Sequence, residues 1–416
     1  MNLFAHPHHP IQNRESQVRS LCRQFAETVV RATGDSFSTQ EGNEYVDLTS
    51  GAGALNYGYN HPALKAALVR FLDRDGMPNA LDMYTDAKAS FFSAFEHHIL
   101  IPRRMDYRLQ CAGPTGANSV EAAIKLARLA TGRKTIVAFT GGYHGLSLGA
   151  LAATAYRGTR EAATVSLSDV VHMPYEGYFG PDTPGIPFLR AMFDDRASGQ
   201  QKPAAFLVEV VQGKGGMRNG SADWLKSLAQ LAADLGALMI CDEIFAGCGR
   251  TGRYFAFEPF DFVPDIICLS KSLSGFGLPM SMLMIRPEVD VWQPGQHAGT
   301  FRGNGHAFVT GAVAAELWSD PAFVENVANL EKLLEERLDN REPGFGRPTG
   351  RGLMRGLAFE STDRAASIVA GLRANAIFTT TCGPEEQVVK LLPPLTMAPD
   401  RLTDVINRLD RVCARR

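Results

Sequence analysis

No stretch of this chain is apolar for long enough to cross a bilayer, which takes about 20 such residues. Cysteine is sparse: there are seven, Cys22, Cys111, Cys241, Cys248, Cys268, Cys382 and Cys413, among 416 residues. The number is odd and no two form a CxxC pair, so the chain reads as holding reduced thiols and neither a disulfide framework nor a zinc site. Cys241 and Cys268 lie in apolar runs and read as buried strand residues. Neither sign of charge is in excess: Lys and Arg total 42, Asp and Glu 44, for a net charge of −2. Such a balance offers no footing to nucleic acid or another polyanion. The N-terminal stretch lacks the charged start and apolar core of a secretion signal, so a cytoplasmic location is expected. Its cluster of His6, His8 and His9 reads as a disordered tail, with a metal-binding tail as the alternative. Internal repeats and long low-complexity segments are also missing.

What is present is alternation. Strand-like and helix-like segments follow one another from about residue 108 to 285, for example strands at 135–139, 204–211, 237–241 and 266–269 and a helix at 224–235. This pattern builds a mostly parallel sheet covered by helices, and such sheets bind ligands at the carboxyl ends of their strands. Residues 309–341 read as one long helix, 351–359 and 388–391 as strands, and 363–375 as a helix. The hydrophobic fraction of 45% and the length allow one large and one small domain with ample core.

Two strand ends carry chemistry. The run 237–241 ends on Asp242, and 266–269 is followed by Ser270-Lys271. A lysine that forms a Schiff base and an acid that keeps a pyridine nitrogen protonated are the pair that pyridoxal 5'-phosphate (PLP) chemistry requires. Each has a plain alternative, because a lysine after a strand is usually a solvated loop residue. Gly113-Pro114-Thr115-Gly116-Ala117 opens a helical stretch, and a helix start of small residues suits a phosphate, although such turns open many helices. Gly141-Gly142-Tyr143-His144-Gly145 follows another strand. Tyr143 can stack on a ring or be an ordinary turn tyrosine.

In this order the pieces resemble a class III (omega-type) aminotransferase of PLP fold type I, over nearly the whole chain. The nearest resemblance within that class is to the ectoine-type diaminobutyrate–2-oxoglutarate aminotransferases. It is carried by Glu15-Ser16-Gln17-Val18-Arg19-Ser20, by Gly51-Ala52-Gly53-Ala54-Leu55-Asn56-Tyr57-Gly58, by Leu81-Asp82-Met83-Tyr84-Thr85, by Gly247-Cys248-Gly249-Arg250-Thr251-Gly252 and by Gly277-Leu278-Pro279-Met280. The resemblance implies an α/β fold: a large PLP domain over 51–308, a linking helix and small α+β domain over 309–416, and an N-terminal segment, 1–50, joining the small domain. It implies Lys271 as the catalytic lysine and Asp242 as the pyridinium acid. Gly116 and Ala117 would hold the phosphate, Tyr143 and Ile244 the two ring faces, and Glu209 and Gln212 would stand behind the cofactor. Thr300 would reach the phosphate of a neighbouring subunit, in a homodimer or larger assembly with its site at the interface. Leu55, Tyr57, Lys214 and Lys390 are the expected substrate neighbours. The implied reaction moves an amino group between small molecules, glutamate/2-oxoglutarate and the terminal carbon of an amino-acid semialdehyde. L-aspartate 4-semialdehyde giving L-2,4-diaminobutyrate is the foremost pair. A different substrate in a specialised-metabolite pathway, a PLP decarboxylase or aminomutase, and a non-enzymatic binding module are the alternatives.

Three positions depart from the pattern. Lys214 stands where ornithine-type and ectoine-type enzymes usually have glutamate. In ornithine-type and 4-aminobutyrate-type relatives that glutamate masks a C-terminal arginine, whose place Lys390 takes here. Two lysines cannot mask each other, so a permanently cationic patch near the substrate is expected. The alternative is that Lys214 points to solvent. Phe245 replaces a glutamine near the cofactor's phenolic oxygen. Leu146 replaces an arginine that binds substrate carboxylate in 4-aminobutyrate-type enzymes, which argues against that substrate.

Overall fold

A computed structural model describes residues 10–180, 185–339 and 344–414. The histidine cluster at the N-terminus lies outside the described residues. At the centre is a seven-stranded sheet. Its strands run in the spatial order Arg108–Gly113, Ser281–Ile285, Ile266–Leu269, Leu238–Asp242, Ala205–Val208, Ile136–Phe139 and Val170–Met173. Ser281–Ile285 is antiparallel to both of its neighbours, and every other pairing is parallel. The expected mostly parallel sheet is therefore present.

Strand geometry explains the two cores around it. Successive side chains point to opposite faces. Met239 and Cys241, Ile267 and Leu269, and Val137 and Phe139 pack into one core with the helix Ala222–Leu235. Ile240, Ile266, Cys268, Ile136 and Ala138 pack into the other, with the helix Gly116–Thr131. Because both faces are covered, the strands read as continuous apolar runs rather than alternating ones. A further core gathers Val46, Leu48, Tyr57 and Leu64 from the N-terminal part with residues of the helices Pro321–Leu338, Thr362–Ala374 and Pro399–Cys413. A four-stranded antiparallel sheet, ordered Arg347–Arg351, Met354–Ala358, Val388–Leu391, Thr381–Cys382, lies beside it.

Three sequence expectations need correction. The long helix at 309–341 is two helices, Gly305–Glu316 and Pro321–Leu338, joined by a short 3₁₀ turn. Pro321 cannot continue a preceding helix but is well placed in the first turn of a new one, and Asp320 caps that helix by accepting from Ala322 N at 3.0 Å. The single strand at 351–359 is the return arm of a hairpin that turns at Gly352, φ +57°. The strand at 204–211 stops at Val208, and Val211–Gln212 pairs instead with Arg218–Asn219 in a small ribbon whose tip is the glycine-rich segment 213–217.

Candidate active site

Lys271 follows the strand Ile266–Leu269 at a backbone φ of +48°, a region that residues with a side chain rarely adopt. The turn that holds it there is fastened from both sides. Ser270 Oγ donates to Met280 O at 2.8 Å. Ser272 Oγ donates to Gly53 O at 2.8 Å and accepts from Asn56 N at 2.9 Å. Strain of this kind persists where surrounding contacts over-determine the conformation, and here it aims the amine into a cavity of about 490 Å³. Burial pulls the Lys271 amine below its ordinary range. The charges of Asp242 and Glu209 oppose that shift, and Lys390 adds to it. A lowered proton affinity suits a lysine that passes protons to and fro.

The cavity is lined by Ala52, Gly116, Ala117, Tyr143, His144, Glu209, Asp242, Ile244, Phe245, Lys271 and others, with Lys214, Lys390 and Leu146 among them. Asp242, at the end of its strand, is 5% exposed. Its Oδ1 accepts from Ile244 N at 3.0 Å and its Oδ2 faces His144 Nδ1 at 2.7 Å. Burial pulls His144 down, but its hydrogen bond to Asp242 and the charges of Asp242 and Glu209 outweigh this and raise it. The pair orients the carboxylate and leaves lone pairs free for a third donor. Glu209 Oε1 accepts from Tyr143 N at 2.9 Å and Oε2 from Gly213 N at 3.1 Å. Burial pushes Glu209 up to about 7 against the pull of His144.

Gly116 and Ala117 are the first two residues of the helix Gly116–Thr131, where backbone N–H groups have no intrahelical partner. A Cβ added at Gly116 would lie 2.9 Å from Ile244 Cγ2, so the absence of a side chain keeps the cradle open. Amine, acid, free helix start and flanking Tyr143 and Ile244 share one cavity, and these residues fit PLP. Phe245 is accommodated in the same way. A Cβ at Gly53 would lie 2.5 Å, and one at Gly213 1.9 Å, from its ring atoms. The ring centre is 4.4 Å from Lys271 Nζ.

Not every expected residue arrives here. Tyr57 is fully buried in the core that holds the C-terminal helices. Its hydroxyl accepts from Trp318 Nε1 at 3.0 Å and its ring stacks on Phe323 at 5.9 Å. Leu55 packs where Cβ atoms on Gly51 and Gly277 would lie. Gln212, expected behind the cofactor, does not line the cavity; it donates Nε2 to Thr140 O at 2.9 Å, and its Oε1 is buried without a hydrogen-bond partner among the described residues. Thr300 is exposed on a separate cavity of about 720 Å³ with Arg108, His297 and Arg302, so one chain does not bring it to Lys271.

The two lysines also differ from expectation. Lys214 is neither bare nor free in solvent: it forms an ion pair with Glu386, and its Nζ is 5.8 Å from the Tyr156 ring centre. Lys390 is half-buried on the strand Val388–Leu391. Burial lowers its amine, with Lys214 adding to the effect and Cys382 and Glu386 opposing it. Sequence reading missed His144 and Glu386. His144 stood in the motif beside Tyr143, and its polar side chain next to a stacking residue was the available signal. Glu386 had none, because its partner is 172 residues away.

A family model for class III aminotransferases matches residues 20–413. The diaminobutyrate–2-oxoglutarate transaminase of Bordetella parapertussis is 48% identical over 402 residues, 95% of this chain and 92% of that protein. The enzyme of the same name from Vibrio cholerae is 44% identical over 417 residues, 99% of each. Among solved structures, an ornithine aminotransferase from Toxoplasma gondii, with PLP at partial occupancy in its active site, superposes with a TM-score of 0.82 at 24% identity. The match covers 97% of this chain and 92% of that one. The PLP fold type I expected from the sequence is thus the fold observed, and by its sequence from residue 20 to 413 the chain belongs to the class III aminotransferases.

Proposed function

We propose that this chain transfers an amino group between glutamate/2-oxoglutarate and the terminal carbon of an amino-acid semialdehyde, with L-aspartate 4-semialdehyde and L-2,4-diaminobutyrate as the exchanged pair. The observation that carries it is the shared cavity of Lys271, Asp242, Tyr143 and Ile244, in a chain 43–48% identical to proteins bearing the diaminobutyrate transaminase name. PLP, when bound, supplies an electron sink for the carbon that bears the transferred amine. Asp242, held by His144 and Ile244 N, would keep a proton on the ring nitrogen. Lys271 Nζ moves the proton to and from the reacting carbon, which its burial and depressed proton affinity favour. Gly116 and Ala117 offer N–H groups to the phosphate. Tyr143 and Ile244, which line the same cavity, would flank the cofactor ring. The absence of charge at Leu146, an exposed cavity residue, disfavours a carboxylate there. In this reading Thr300 serves the site of a second copy, so the working unit is a dimer or larger.

The test adds one amine at a time to the PLP-loaded protein and follows the visible cofactor band. Its loss with both glutamate and L-2,4-diaminobutyrate supports the assignment. Loss with glutamate alone keeps the aminotransferase and rejects the diamine.

A further inference from the structure

Lys271 Nζ has no hydrogen bond or ion pair among the described residues, and its close neighbour is an aromatic ring. The amine stands over the face of Phe245, 4.4 Å from the ring centre. The turn that carries Phe245 leaves the strand Leu238–Asp242 and is fixed at its root. Ile244 N donates to Asp242 Oδ1 at 3.0 Å, and Glu243 N to Cys268 O at 3.0 Å. The acid, the flanking Ile244 and the ring thus come from one short segment. Gly53 joins the ring to the lysine. A Cβ there would lie 2.5 Å from Phe245 Cδ2 and 3.7 Å from Lys271 Cδ, so the ring and the lysine stem meet over its bare backbone. Gly53 O accepts from Ser272 Oγ, the hydroxyl next to the lysine, at 2.8 Å. Gly213 closes the slot on another side, since a Cβ there would lie 1.9 Å from Phe245 Cδ1, and its N donates to Glu209 at 3.1 Å. Ring, lysine and slot are fastened as one unit.

We propose that Phe245 is a positioning residue for Lys271: the face of its ring holds the amine while it carries the proton, in the place that a hydrogen-bond acceptor would otherwise take. The inference rests on the transaminase reading, in which Lys271 is released from the cofactor and ferries a proton. When the amine takes a proton from the substrate carbon, the C–H electron pair passes into the cofactor's electron sink and Lys271 becomes an ammonium. When it delivers that proton it is neutral again. A cation over an aromatic face is attracted by the ring quadrupole, more strongly where water is excluded. The ring has no basic lone pair, so it steadies the ammonium without taking the proton itself. The charged groups around the amine act from their own elements. Asp242 and Glu209, at strand ends, favour the ammonium, and Lys390, on the strand Val388–Leu391, opposes it. His144 and Lys214 line the same cavity. None of these five is hydrogen-bonded to Nζ, whereas the ring is in contact with it.

A trifluorinated phenylalanine placed at position 245 keeps the shape of the ring and weakens the negative potential of its face. The Lys271 amine is titrated in the full-length chain before PLP is added. Acetic anhydride labels the neutral amine, and the labelling rate at each pH is read on the Lys271 peptide by mass spectrometry. In the fluorinated chain the amine is expected to titrate about half to one pH unit below the parent. Phe245→Leu, which removes the ring, lowers it as well. After PLP loading, the acid limb of the single-turnover rate with glutamate moves to lower pH in both variants. An unmoved amine in the fluorinated chain overturns the proposal. So does a rise in Phe245→Leu, which assigns the ring a packing role, because water entering the emptied slot favours the charged amine. Failure of L-2,4-diaminobutyrate to convert the cofactor, with the amine moving as described, rejects the substrate assignment and leaves the role of Phe245 standing.

Discussion

At the scale of single residues, the site is built by controlling which groups keep their protons. Lys271 is held at a left-handed φ by hydroxyls on either side, and burial favours its neutral form. In the proposed reading, removing it removes both the covalent anchor and the proton carrier. Lys271→Ala is expected to lower the single-turnover rate with glutamate by at least about 10²–10⁴-fold, the range for a lost acid–base group, and to alter the visible spectrum of the bound cofactor. Full turnover in that variant would transfer the proton role to another group. Phe245 occupies a slot made by two glycines. Its presence is thus matched by Gly53 and Gly213, residues distant in sequence.

At the scale of elements, one buried carboxylate governs how the segment after the strand Leu238–Asp242 returns to the sheet. Glu243 is 1% exposed, and its oxygens accept from Ala256 N at 2.8 Å and Phe257 N at 3.2 Å. Burial pushes it from an ordinary 4.5 up to about 8, against the pull of those two N–H groups. The folded state therefore binds more protons than the unfolded state between those values. The associated stability is fully present below about pH 4.5 and is lost as pH rises through about 8. Glu209, raised to about 7, acts in the same direction. Urea unfolding should show the protein less stable at pH 8.5 than at pH 5.5. Glu243→Gln should cost about 1 kcal/mol at the lower pH, for one imperfect hydrogen bond, and flatten the decline. An unchanged slope would remove Glu243 from that account.

At the scale of the whole molecule, Arg250 ties distant parts together. Its guanidinium is fully buried. Nη2 and Nε donate to Asn56 Oδ1 at 2.6 and 3.1 Å, and Nη1 to Pro393 O at 2.7 Å and Leu353 O at 3.2 Å. A lysine cannot reproduce that fork. Arg250→Lys is expected to destabilise by about 1–3 kcal/mol, the cost of leaving a buried acceptor without its donor, read as a drop in Tm. In the proposed reading Thr300 serves the site of a second copy, so light scattering should give at least a dimer. Thr300→Ala should weaken PLP retention about tenfold, the range for a hydrogen bond to a charged group. An active monomer, or unaltered PLP affinity, would exclude Thr300 from the site.

How much of this was legible depended on the range of the interactions. Lys271, Asp242, Gly116 and Tyr143 sit at the ends of strands or the start of a helix, and those elements are set by local apolar patterns, so their order alone pointed to the cavity that contains them. The break at Pro321 was equally local and was passed over in favour of the longer pattern. Tyr57 was expected beside the substrate from the resemblance alone, but packing against Trp318 and Phe323 decides which way its ring points. His144 meeting Asp242 and Glu386 meeting Lys214 are contacts across 98 and 172 residues. No periodicity records such pairs, because they form only when the sheet and the C-terminal strands have been brought together. The amino-acid order thus settled which chemical groups stand at which strand ends. The folded structure settled which of them face one another, since a charge pairs with what is near in space and not with what is near in the chain.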